Sequence, residues 1–305
     1  MLAARVCLRI VVAIYGLAIM DVINNRAGLR SRLKQWRFQN PEGTIALVPT
    51  MGYLHAGHLS LIERAREEAD LVVISIFVNP LQFNDPEDYQ NYPIDLNRDE
   101  QACQQAGADI VFAPDRQEMY PEGEPLLQMS MPALTANLCG TARPGHFEGV
   151  LMVVARLLNC VQPDVALFGK KDYQQYLVIR RMVQDLDLPV RILGVETVRE
   201  EDGRAMSSRN ARLSSSGVQH ATLIYRAMRI AEKAQRDGNS NAADLKEIIK
   251  DVIESGSLNR VDYIEIVDPD TLESMSALPG NSRFLIAVAV FCENVRLIDN
   301  ILCEV

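Results

Sequence analysis

Between residues 44 and 78 the unbroken apolar run TIALVPT leads into GHLSLIERAREEAD, where Leu59, Ile62, Ala65 and Ala69 recur at helical spacing, and then into LVVISIFV. Apolar runs without polar alternation predict strands buried on both faces, and two of them joined by an amphipathic helix predict a right-handed βαβ unit of a parallel sheet. The alternation continues through a helix over 95–106, the strand DIVFAP, a helix over 149–160, the strand DVALFG, a helix over 173–185 and the strand VRILGVETV; another helical pattern, over 25–36, precedes the unit. This order predicts an α/β fold, a Rossmann-like doubly wound parallel sheet.

From residue 199 the texture changes to REEDGRAMSSRNARLSSSG, two helical patterns over 218–236 and 242–255, and the strand-like runs VDYIEIVD and RFLIAVAVF. The expected organisation is therefore a Rossmann-like domain over 20–198 and a second, smaller α+β C-terminal domain over 199–305. The stretch VCLRIVVAIYGLAIM before Asp21 is apolar apart from Arg9, too short for a membrane span, and lacks a small-x-small cleavage site. Residues 1–19 are expected to be an extension outside the core, Met20 the natural start, and the protein free of membrane.

A net charge of -9 argues against nucleic acid as the main partner, so any anionic substrate must be met by local positive charge. The six cysteines show no CxxC pair and no framework spacing, which suits a reducing cytoplasm. Against that background, polar clusters follow the predicted strands. After the first comes TMGYLHAGH, with His55 and His58 around Gly57 at a helix start, where unpaired N–H groups and the helix dipole favour an anion. A metal pair fails for want of ligands, since the only other histidines are His146 and His220 and no HExxH occurs. HAGH alone leaves a phosphate site and two loop histidines equally open.

FVNPLQF places Asn79 and Gln82 at the carboxyl edge of the sheet, where amides suit a hydroxyl or carboxylate, although Asn79-Pro80 can equally open a turn. TARPGHFEG sets Arg143 and His146 ahead of an apolar helix, or builds its first turn on Pro144 and Gly145. LFGKKDYQQ offers Gly169 for a turn, Lys170 and Lys171 for phosphate, Asp172 as a cap, and Gln174 and Gln175 at a helix head. MSSRN, 206–210, reads as a mobile clamp for a triphosphate or as a linker with capping serines. The clusters converge on one crevice.

Taken together, VPTMGYLHAGHLSLI, FVNPLQF, RPGHF, GKKDYQQ and VREEDGRAMSSRN, in this order and spacing, resemble the pantothenate synthetase (pantoate–β-alanine ligase) family from about Met20 to the end of the chain. The combination is far more specific than HxGH, which a whole nucleotidyl-transferring superfamily shares. The resemblance implies ATP-dependent, Mg²⁺-assisted condensation of (R)-pantoate with β-alanine through pantoyl adenylate, in a cytoplasmic homodimer. It implies an ATP site of Met51, Gly52, His55, Gly57, His58, Gly169, Lys170, Lys171, Asp172, Val198 (beside adenine), Met206, Ser207, Ser208 and Arg209. It implies His58, His55 and Lys171 as catalytic groups, and Gln82, Gln175, Asn79 and His146 around pantoate and β-alanine; it gives no metal ligands.

Two matched segments depart from the family pattern, Cys139 in NLCG and Lys170 in FGKKD, where Glu is more usual; these bear on fine specificity, not on the reaction. The competing expectation is another HxGH-type nucleotidylyltransferase, which would stop at a nucleotide product and have no need of Gln82 and Gln175. A nucleotide-binding scaffold without catalysis would tolerate loss of His55, His58, Lys171 and Arg209, all of which are present.

Overall fold

The computed structural model describes residues 20–281 and 283–304, and the 1–19 extension lies outside them. Six parallel strands form one sheet: β1 (Asp21–Ile23), β2 (Ile45–Thr50), β3 (Leu71–Ile76), β4 (Ile110–Phe112), β5 (Val165–Gly169) and β6 (Arg191–Val195), in the order β1-β4-β3-β2-β5-β6. The apolar runs lack polar alternation because both faces are covered. Ile45, Leu47, Leu71 and Val73 face a core with helices α1 (Arg26–Gln39), α4 (His146–Val161) and α5 (Tyr173–Asp185). Their neighbours Ala46, Val48, Val72 and Ile74 face the other core, with α2 (Ala56–Glu68) and α3 (Leu96–Ala106). A period of two thus feeds two cores.

The strand order reverses at β2, which has β3 on one side and β5 on the other. Open α/β sheets bind ligands at the carboxyl ends of strands beside such a reversal. The segments after β2 and β5, carrying HAGH and KKD, leave from that point.

Residues beyond β6 build α6 (Ser215–Arg236), α7 (Ala242–Glu254) and an antiparallel sheet of β7 (Asn259–Val267), β8 (Arg283–Cys292) and β9 (Val295–Glu304). Ile286, Val288 and Val290 pack on both helices in a core of their own. Leu285 and Ala287, on the opposite face of β8, join Val267 and Leu272 against Leu138, Tyr173 and Leu177 of the larger domain. β8 therefore has two apolar faces, one for its own domain and one for the domain junction.

Several elements differ from the sequence expectation. β1 and β9 are additional strands, the first a three-residue edge, the second carrying Asp299 and Asn300 in its middle, both buried. α4 starts at His146 rather than at residue 149, after Gly145 with φ +80°, so His146 is the first helical residue and not a loop residue ahead of the helix. α6 starts at Ser215 because Ser214 caps it, its side chain accepting from the Gly217 N–H. Part of the polar MSSRN loop is a 3₁₀ turn, Ser208–Arg212, capped by Ser207.

Candidate active site

At the β2–α2 corner His55 is the N-cap and His58 the third helical residue, and each supplies a cap usually made by Ser and Glu. The Gly57 N–H donates to His55 Nδ1 at 3.1 Å, and the His55 N–H donates to His58 Nδ1 at 3.3 Å. A ring nitrogen that accepts carries no proton, so both neutral imidazoles are Nε2–H tautomers. Burial, helped by Lys171, holds the His55 ring down to about 4; burial, helped by His55, holds His58 down to about 3. Both rings are thus neutral donors at pH 7. This revises the expected phosphate cradle: the His58 N–H is also taken, by His55 O at 2.7 Å, so the Nε2–H groups, which have no partner among the described residues, are what remains for an anion.

The loop before this corner turns through Gly52 (φ +84°) and Tyr53 (φ +52°). The buried Asp99 of α3 fixes it, accepting from the Tyr53 and Leu54 N–H groups at 2.7 and 2.8 Å. A Cβ on residue 52 would stand 2.9 Å from Asp99 Oδ2, so Gly52 is a packing requirement behind the site and does not reach it.

After β3, Asn79 is 1% exposed, with the hydrogen-bonding positions of its side chain used inside the protein. Its Nδ2 donates to Gln82 Oε1 (3.0 Å) and Gly149 O (3.1 Å), and its Oδ1 accepts from the Tyr120 hydroxyl (2.9 Å) and the Leu81 N–H (3.4 Å). Asn79 therefore orients the Gln82 amide instead of meeting a ligand. The Gln82 Nε2 end comes within 3.1 Å of Met51 Sδ. This packing needs Gly149, where a Cβ would lie 2.2 Å from Leu81 O.

His146 is 7% exposed and wired the other way round. Arg143 Nη1 lies 3.2 Å from its Nε2 and can only donate, so Nδ1 carries the proton and donates to Gln82 O at 2.8 Å. Burial and then Arg143 hold this ring down to about 4. With both nitrogens committed, His146 braces Gln82 and Arg143 and has no donor left for substrate.

After β5, Lys171 and Asp172 stand 3.8 Å apart, while Lys170 turns to pair with Glu196 and does not line the crevice. The smaller domain grips this turn, since Asn300 Nδ2 donates to Lys170 O at 3.0 Å and Lys171 O at 2.9 Å. The preceding β9 residue, Asp299, receives both Arg199 Nη1 (2.6 Å) and Nη2 (3.0 Å), anchoring the hairpin that leads into Met206–Arg209. Arg209 Nη2 lies 3.5 Å from Asp88 Oδ2.

These segments enclose two adjoining cavities. One, about 240 Å³, is lined by Met51, His55, Gly57, His58, Gln82, Gly169, Gln175, Val198 and Met206 to Arg209; the other, about 540 Å³, lies between the domains against β7–β9. Arg143, His146, Lys171, Asp172, Gln175 and Arg209 line both. Of the residues singled out from the sequence, Gly52, Asn79 and Lys170 stay outside these walls. Asp99, Tyr120, Asp299 and Asn300 escape a sequence reading, because each acts on a segment at least 41 positions away and no local pattern marks such a contact. Among the described residues no group of three or more His, Cys, Asp or Glu could hold a metal ion, and no helix is long and apolar enough to cross a membrane.

Comparison with known proteins gives one consistent result. The family model described as pantoate-beta-alanine ligase matches residues 21–302. The pantothenate synthetase of Leptospira interrogans serogroup Icterohaemorrhagiae serovar Lai is 47% identical over 274 residues, which are 90% of this chain and 95% of that protein. The crystal structure of pantothenate synthetase from Thermus thermophilus has a TM-score of 0.84 at 47% identity, over 92% of this chain and 99% of that one. The pantoate-beta-alanine ligase of Francisella tularensis, solved in complex with beta-gamma ATP and beta-alanine, has a TM-score of 0.76 at 36% identity, over 93% and 97% of the two chains.

Proposed function

The chain belongs to the pantoate-beta-alanine ligase family, and from that premise we propose how its crevice carries out the reaction. The enzyme condenses pantoate with β-alanine using ATP. A pantoate carboxylate oxygen attacks the α-phosphorus and diphosphate leaves, giving pantoyl adenylate. The β-alanine amine then attacks the acyl carbon, the C–O bond to AMP breaks, and the amine loses a proton. Neither step needs a protein nucleophile, so alignment and stabilisation of spreading negative charge dominate.

The observation that carries the assignment of roles is the pair of neutral imidazoles whose Nε2–H groups are left free beside Lys171, Ser207, Ser208 and Arg209. His58, His55 and Lys171 act on the phosphates as negative charge shifts to the departing diphosphate. Met51, Gly57, Gly169, Asp172 and Met206 to Arg209 enclose ATP, with adenine beside Val198. Gln82 and Gln175 hold pantoate in the same cavity. Gly52 and Asn79 serve the site from behind, and His146, on the wall, braces Gln82 and Arg143.

Mg²⁺ supplies charge neutralisation on the triphosphate. Asp172 lies on the walls of both cavities, Glu196 on the smaller and Asp88 on the larger, each beside a cation, a donor set that would fit an ion held largely by phosphate and water oxygens. The domain limits 20–198 and 199–305, with the second acting as a lid, are supported by the change of sheet type and the separate apolar cores. A cytoplasmic homodimer is the proposed working form; the free thiols of Cys103, Cys139, Cys160, Cys292 and Cys303 suit a reducing compartment, and the exposed Leu126 and Leu127 suit an interface. Sedimentation of the full chain tests the assembly, and a monomer at micromolar concentration refutes it.

The test of the reaction supplies ATP, Mg²⁺ and pantoate and measures diphosphate, then adds β-alanine and measures AMP. Pantoate-dependent diphosphate and β-alanine-dependent AMP are expected. Diphosphate release indifferent to pantoate would sink the reading and favour another HxGH nucleotidylyltransferase.

A further inference from the structure

Of the three cations that line both cavities, two already face a carboxylate: Lys171 has Asp172 and Arg209 has Asp88. Arg143 is different. Among the described residues its guanidinium has no carboxylate within ion-pair distance, and its two protein contacts are neutral, His146 Nε2 at 3.2 Å and Gln82 O at 3.4 Å. Burial, with Arg209 next, depresses its pKa, and the more distant carboxylates of Asp172 and Asp88 offset this only in part. It lines both cavities and stands at their junction. A guanidinium has five N–H donors, so those not spent on His146 and Gln82 can form a bidentate fork for an anion.

We propose that Arg143, braced by His146, is the anchor for the carboxylate of the amino-acid substrate. The inference rests on the reaction given above and adds to it the group that recognises the second substrate. The phosphate-facing groups gather at the α2 corner and the Met206–Arg209 segment, whereas Arg143 touches the backbone of Gln82, the residue assigned to pantoate. A three-carbon ω-amino acid spans about 5 Å from carboxylate to amine when extended. With its carboxylate on Arg143, its amine reaches an acyl group held at Gln82. A shorter or longer chain misplaces that amine by about one bond length, and an amine without a carboxylate leaves the half-buried guanidinium unpaired. The surrounding cations also favour the unprotonated amine that must attack.

The test compares β-alanine, glycine, 4-aminobutyrate and n-propylamine as acceptors for the unaltered protein, Arg143→Lys and Arg143→Met, alongside pantoate-dependent diphosphate–ATP exchange without any amine. In the unaltered protein, kcat/KM for n-propylamine should be at least about 50-fold below that for β-alanine. In Arg143→Met the KM for β-alanine should rise by about 50-fold or more, the preference over n-propylamine should collapse, and exchange should fall far less than amide formation; Arg143→Lys should lie between. Equal use of n-propylamine by the unaltered protein overturns the proposal without any variant. So does an exchange rate in Arg143→Met that falls as far as amide formation, because Arg143 would then serve adenylation. Absence of exchange in the unaltered protein would instead strike the underlying reaction.

Discussion

The α2 corner and the α4 corner both place histidine at a helix start beside the crevice, and the rings at both are neutral, yet they do opposite things. At α2 the backbone N–H groups of Gly57 and His55 occupy the Nδ1 atoms, which leaves two Nε2–H donors free to face the cavity. At α4 the carbonyl of Gln82 takes the Nδ1 proton and Arg143 takes the Nε2 lone pair, which leaves His146 nothing to give. A histidine near a ligand pocket is therefore defined by which of its nitrogens the fold has consumed, and residue type and neighbourhood alone do not say.

The sharpest way to break this contrast is His58→Ala. Loss of one preorganised donor should lower pantoate-dependent diphosphate formation about 10² to 10³-fold, with a loss of only about 1 kcal/mol in unfolding free energy from the missing cap. His146→Ala should cost adenylation at most about tenfold and appear chiefly as a raised KM for pantoate and β-alanine, because its effect passes through Gln82 and Arg143. Equal losses in the two variants, read by diphosphate release, would erase the distinction between donor and brace.

Asn300→Ala tests whether the smaller domain sets the phosphate end from a distance. It removes the two hydrogen bonds to the carbonyls of Lys170 and Lys171, and the KM for ATP should rise about tenfold while the KM for β-alanine stays near its original value. Lys170→Ala should change ATP saturation by less than about threefold, since Lys170 does not line either cavity and its ammonium is paired with Glu196.

Acidity sharpens the comparison through linkage. An unfolded imidazole titrates near 6.5, whereas the folded rings are held to about 4, about 3 and about 4 at His55, His58 and His146. Between roughly pH 6.5 and 4 the unfolded chain binds the extra protons, so stability falls as the pH falls, by up to about 1.4 kcal/mol per pH unit for each ring. Denaturant melts across that window should show the slope. Because neutral donors are the proposed active form, the adenylation rate should hold through pH 6.5 and fail only toward pH 4; a limb at 6.5 would contradict the lowered titration of His55 and His58.

Much of the fold is legible in the chain because burial on both faces leaves a mark on every central strand. Ile45, Ala46, Leu47 and Val48 are all apolar since each faces one core or the other. β9 escapes that reading for a physical reason: Asp299 and Asn300 interrupt its apolar pattern, and they are there to receive Arg199 and to hold the Lys170–Lys171 turn. β1 escapes because three residues at a sheet edge carry too little pattern to see. Within the site, Asn79 and Gly52 sit inside telling segments, and local sequence cannot separate a residue that meets substrate from one that holds its neighbour.

VPTMGYLHAGHLSLI, FVNPLQF, RPGHF, GKKDYQQ and VREEDGRAMSSRN carry the family resemblance that implies the chemistry, and such a resemblance is a property of the chain alone. Contacts between distant segments are not. That Asp99 pins the loop before His55, that Asn300 holds the lysine turn, and that Arg143 is left without a carboxylate at the meeting of two cavities become visible only once the fold brings β2 beside β5 and β9 against the turn that follows β5. A side chain's free valence is what remains after its surroundings have taken their share, and those surroundings are set by packing.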